Sequence, residues 1–152
     1  MLLRSKYPKN LKYQIEAQWD GNLGGSAESK NGSCVKFDIP ITFNGPGKAF
    51  CPDELLAASV AGCLMNTFLH FCVEMKLELD KFLLNTYIEV EFERGRYQIK
   101  NLNTEGTLTV KKGDEELGKE CIQLAQEYCH IANALSPQIP IDYNIIIQNN
   151  PK

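Results

Sequence analysis

Between Leu55 and Val73 the chain reads LLAASVAGCLMNTFLHFCV, 19 residues without a carboxylate, a lysine or an arginine. Pro52 suits a helix entry, Asp53 and Glu54 complement the positive end of its dipole, and the run predicts one long helix from about Asp53 to about Lys76. The apolar run approaches the shortest length that spans a bilayer. Ser59, Asn66, Thr67 and His70 speak against that reading, because Asn and His in the middle of a lone span cost several kcal/mol. The helix is therefore expected to be buried in protein rather than in a membrane. A helix apolar on nearly every side must be covered on nearly every side. Roughly six short strands and one amphipathic helix can cover one side only, so a second copy of the chain is expected, with the two long helices packed between two sheets.

The rest of the chain reads as β and α segments of ordinary length. In KYQIEAQWDG, Tyr13, Ile15, Ala17 and Trp19 alternate with Gln14, Glu16 and Gln18, the period of a half-buried strand. Asn31-Gly32 marks a hairpin between two short strands. Ile88, Val90 and Phe92 alternate with Glu89, Glu91 and Glu93; Arg94-Gly95-Arg96 reads as a turn, and GTLTVKKG as a further strand. Asp114 is the expected N-cap of a second helix, whose stripe is Leu117, Cys121, Leu124 and Tyr128. IANALSP is a short helical turn, and IPIDYNIII is a closing strand. The predicted class is α+β, a single domain over residues 1–152 in the order β-β-β-α-β-β-α-α-β.

Charge narrows the function. The formal net charge of −3 comes without a basic cluster, so no nucleic-acid partner is expected. The start MLLRSKYPKN has too few apolar residues before its first charge for a secretory leader, which suggests a cytoplasmic protein with reduced thiols. The six cysteines, at positions 34, 51, 63, 72, 121 and 129, contain no Cys-x-x-Cys spacing. Neither a disulfide scaffold nor a metal centre is expected.

Thiol chemistry then rests on single cysteines. Cys63 lies mid-helix among Ala57, Ala58, Ser59, Ala61 and Gly62, small neighbours that let another group approach the sulfur. By itself it also fits a small core residue. Cys129 ends the amphipathic helix between Tyr128 and His130, where a thiol can reach a partner across the core. Such a pair suits a nucleophile oxidised to sulfenic acid and a second thiol that condenses with it. Cys72 cannot pair with Cys63 on one helix, being about 180° round from it. Cys34, Cys72 and Cys121 read as structural, and Cys51 stands undecided in the loop before the helix. His70 is about 10 Å along the axis from Cys63, too far to be its base. His130 is set to influence Cys129, although neighbours on one helix point apart.

PDELLAASVAGCL, the later EYCHIANAL and the final β segment together resemble the OsmC/Ohr family of thiol-dependent hydroperoxide reductases. The resemblance implies an intertwined homodimer with the cysteine-bearing helices at its centre. It implies that Cys63 attacks the terminal oxygen of an organic hydroperoxide and that Cys129, 66 residues later, resolves the sulfenic acid as a disulfide. A dithiol donor such as a lipoyl protein or a thioredoxin-like protein would regenerate the enzyme, with no cofactor or metal. The acidic residue of the helix start, glutamate in the family, falls on Asp53, with Glu54 beside it. The family's thiolate-stabilising arginine has no counterpart in DGNLGGS; Arg4, Arg94, Arg96 or a lysine of either subunit are the cations left to stand in. A second reading is a non-peroxidatic dimer of the same fold that binds a small hydrophobic molecule, with Cys63 and Cys129 as core thiols.

Overall fold

The structure, a computed structural model, describes residues 8–150, and these fall into two compact units that divide between Pro52 and Asp53. Arg4 lies outside the described residues.

The first unit is an antiparallel meander of β1 (Ile15–Trp19), β2 (Gly24–Ser29) and β3 (Cys34–Asp38). Gly32, at φ 84°, supplies the left-handed residue of the β2–β3 turn, so the hairpin stands where Asn31-Gly32 places it. A 3₁₀ turn, Ile41–Phe43, follows. The buried Asp38 carboxylate accepts the Lys48 and Ala49 backbone N–H groups at 2.8 and 3.0 Å, which pins the approach to the long helix. One expectation fails here: every residue of β1 is exposed, so its alternation marks a face that nothing in the single chain covers.

The second unit opens with α1 (Pro52–Met75, all but its first residue) and continues through β4 (Leu79–Glu93), β5 (Arg96–Val110), α2 (Glu115–Tyr128), α3 (His130–Leu135) and β6 (Ile141–Asn149). This is the predicted order. β5 is the central strand, antiparallel to β4 and parallel to β6, and α2 with α3 forms the crossover between the parallel pair. β4 and β5 are each 15 residues long, well beyond the strands expected, while β6 pairs only with Leu102–Val110. The rest of the hairpin is a two-stranded ribbon. It turns at Arg94 and Gly95, both at positive φ, and carries exposed Phe92 against Tyr97 at 5.1 Å between ring centroids.

Leu102, Leu108 and Val110 of β5 form the floor of the core, and Val60, Leu64, Phe68 and Cys72 of α1 close it from the helical side. These α1 positions recur every four residues, and Phe68 meets Phe82 of β4 at 4.7 Å. α2 comes close to the sheet because residue 118 is glycine: a Cβ there would sit 3.3 Å from both Leu108 and Val110. Asp114 is the N-cap of α2, but its side chain makes no capping bond; instead Glu115 reaches back to accept the Gly113 N–H at 2.8 Å. At its other end α1 closes with Lys76 in the left-handed region at φ 58°, and the Leu77 N–H donates to the Cys72 carbonyl at 2.9 Å. Leu77 buries its side chain, the hydrophobic contact that usually accompanies this closure.

Phe68 is fully buried at the centre of this layer. Phe68→Ala is expected to lower the free energy of unfolding by about 3–5 kcal/mol, the cost of lost transfer plus cavity, read from denaturant titration. A change below about 1 kcal/mol would show that α1 does not pack as described.

Candidate active site

Two thiol contacts join α1 to α2, one near each end of their shared length. Cys72 hydrogen-bonds Cys121, and the Cys121 thiol lies 3.6 Å from Met75 Sδ. Nine residues back along α1, Cys63 meets Cys129, just past the far end of α2, through a side-chain hydrogen bond. Contacts that run up one helix and down the other require the two helices to be antiparallel, with Phe71 against Tyr128 at 5.7 Å between the two thiol pairs.

The Cys63–Cys129 pair depends on a break in the helix. Cys129 has φ −68° and ψ 93°, so it ends α2 in an extended conformation and at the same time caps α3. The break turns the Cys129 sulfur into the core, where the residue has no exposure, while Cys63 keeps 8%. It also reorients His130. On one continuous helix the ring would point away from its neighbour; as the first residue of α3 it places Nδ1 3.7 Å from Cys63 Sγ. The histidine that adjacency assigned to Cys129 thus lies against the other thiol. The signal that could have found it is the turn-like CHIAN stretch, which breaks the stripe after Tyr128.

Burial is the leading electrostatic effect here. It pushes the Cys129 thiol up to about 11, and the hydrogen bond and negative charge of Cys63 act in the same direction. Tyr143 of β6 faces the same pair and is pushed up to about 12, by burial first and then by Cys129 and Cys63. At the other pair, Cys72 is raised to about 12, again by burial first and then by Cys121. All six cysteines are free thiols.

The structure separates the remaining expected site residues from this cluster. Asp53 and Glu54 are exposed in the first turn of α1, roughly 15 Å along the axis from Cys63. Arg94 and Arg96 are at the ribbon tip, beyond the stretch of β5 that pairs with β6. Cys34 is exposed at the start of β3, and Cys51 is half-buried before α1. Among the described residues no group of three or more His, Cys, Asp or Glu side chains is arranged to hold a metal ion.

A family model described as OsmC-like protein matches residues 45–144, which include α1, both thiol pairs, His130 and Tyr143. The chain belongs to the OsmC-like family. Two curated relatives span most of it. The uncharacterized protein YmaD of Bacillus subtilis is 22% identical over 134 residues, covering 85% of this chain and 89% of YmaD. An organic hydroperoxide resistance protein-like protein of Mycoplasma genitalium is 26% identical over 120 residues, covering 78% and 84%. Among solved structures, an OsmC-like protein of unknown function from Vibrio cholerae superposes with a TM-score of 0.78 at 15% identity, over 90% of this chain and all of that one. The OsmC-like fold, α+β with its two three-stranded sheets, is thereby shown.

The raised thiols give this OsmC-like chain a signature in alkali. From pH 9.0, the ordinary thiol value, to about 11 for Cys129 and about 12 for Cys72, the unfolded chain has released protons that the native chain retains. Stability therefore falls as pH rises through that window. Denaturant unfolding across it is expected to show the decline, less steeply in Cys72→Ala. A flat profile from 9.0 upward would contradict the burial of these thiols.

Proposed function

We propose that the protein is a thiol peroxidase that reduces organic hydroperoxides to alcohols. The observation that carries this reading is the hydrogen-bonded Cys63–Cys129 pair, two buried free thiols from different helices, one of them at a break in the chain. The hydroperoxide resistance name of the Mycoplasma genitalium relative supports it. In the proposed cycle the Cys63 thiolate attacks the terminal oxygen of ROOH, the O–O bond breaks, and Cys63 sulfenic acid and ROH result. The Cys129 sulfur then attacks the sulfenic sulfur; its proton leaves with the departing hydroxide as water, and the disulfide remains. A dithiol donor, such as a lipoyl or thioredoxin-like protein, takes the disulfide back to two thiols. Asp53 and Glu54 belong to this proposal only as the acidic helix start that the family carries.

The site is proposed to work in a homodimer. α1 is long and apolar enough to cross a membrane, yet only 28% of its most apolar 18-residue window is buried within one chain. Its exposed face includes Ser59, Gly62, Asn66, Leu69 and Val73, spaced by three and four residues, the seam that a second α1 would fill. On this reading the copies place their α1 helices together in the cytoplasm, with no bilayer and no nucleic acid involved. Light scattering on the eluted protein is expected to give twice the 17.1 kDa chain mass, and Val73→Glu to lower that mass at the same loading. A stable monomer of full helical content would sink the dimer.

One observation favours a second reading, a binding module for a small apolar molecule. Trp19, Leu23, Phe37, Ile39 and Phe43 line an open pocket of about 510 Å³ within the first unit. Turnover separates the two. With cumene hydroperoxide and dithiothreitol, wild type is expected to consume peroxide at least 100-fold faster than Cys63→Ser, an estimate on the order of the loss of a covalent nucleophile. Without dithiothreitol, Cys129→Ser is expected to make one turnover, after which a second hydroperoxide oxidises the Cys63 sulfenic acid to sulfinic acid. Equal consumption by wild type and Cys63→Ser would leave the binding reading in its place.

A further inference from the structure

A buried thiol in apolar surroundings needs a partner before it can act as a thiolate. The described arginines are at the ribbon tip, and the turn Asp20-Gly21-Asn22-Leu23-Gly24 has none. His130 is the ring placed on Cys63, with Nδ1 3.7 Å from Sγ. Its approach comes from a different element than the nucleophile and follows from the extended Cys129 backbone that opens α3.

We propose that His130 is the proton acceptor and proton donor of Cys63. This rests on the peroxidase reading of the same pair and deepens it. With the imidazole proton on Nε2, Nδ1 accepts the Cys63 S–H; transfer leaves thiolate on Sγ and imidazolium on His130. The thiolate attacks ROOH, and as the O–O bond breaks the imidazolium gives its Nδ1 proton to the departing alkoxide, so ROH leaves and His130 is neutral again. One proton moves from sulfur to nitrogen to oxygen, and Cys63 sulfur takes up the oxygen atom that ROOH loses. The resolving step follows at the same sulfur, which Cys129 hydrogen-bonds and Tyr143 faces. These two groups face the thiol with His130; each is held in its protonated, neutral form by burial, so imidazolium is the positive charge in the set. This arrangement gives His130 work that an arginine does by charge alone, with a proton to deliver as well.

The test is the rate at which iodoacetamide alkylates Cys63, followed on its peptide by mass spectrometry in the reduced protein, against pH. His130→Gln is compared with wild type, and His130→Asn serves as a second variant should one of them fail to fold by circular dichroism. The expected result is alkylation slower by about tenfold or more at neutral pH, the ratio that one unit in the protonation midpoint produces. The difference should close at alkaline pH, where the thiol ionises unaided. Equal rates at every pH would overturn the proposal. So would a loss of the same size at every pH, which marks a packing role. Cumene hydroperoxide turnover on the same proteins keeps the two readings apart. A pH-dependent alkylation difference without turnover in wild type keeps the His130–Cys63 pair and removes the peroxidase. Turnover in wild type without that difference does the reverse.

Discussion

Everything in the second unit is organised around covering α1. Its sequence gives the helix no polar side, so its stability depends on what lies against it. β4, β5 and α2 supply one wall through Phe82, Leu102, Leu108 and Cys121. The face through Gly62, Leu69 and Val73 stays open in one chain. The same requirement explains why the reactive candidate is here. A thiol on such a helix is desolvated by the packing that stabilises the fold, and water is kept from the sulfur at no extra structural cost.

The second determinant is the break at Cys129. A continuous helix from Glu115 to Leu135 would have pointed Cys129 and His130 in directions about 100° apart, so at most one could address Cys63. The extended ψ of Cys129 lets consecutive residues reach the same sulfur. A single backbone rotation thus assembles three residues of the site. The Cys72–Cys121 pair, where both helices are regular, packs against Met75 in the core, a thioether that takes up no proton.

How much of this was legible in the sequence can be judged from particular residues. α1 was readable to within a residue at each end, because Pro52 and the charge-free run leave no alternative. The element order was readable as well, since turn residues at Asn31-Gly32, Arg94-Gly95 and Gly113 punctuate it. The 15-residue reach of β4 and β5 was not, because strand length is set by cross-strand partners distant in sequence. β1 shows the opposite failure: its alternation is real, but every one of its residues is exposed. Cys63 and Cys129 were legible as a pair through their resemblance to a family pattern, while the contact of His130 was hidden because neighbours on a helix diverge. That rule held only until the helix broke.

The central claim is that Cys63 and Cys129 form one redox couple. The most direct measurement is disulfide mapping after one equivalent of cumene hydroperoxide is added to the fully reduced protein. The account predicts that two of the six thiols per chain disappear, one alcohol forms for each pair lost, and the linked peptides are those of Cys63 and Cys129. Retention of both thiols while alcohol forms, or a disulfide that joins either of them to another cysteine, would contradict it.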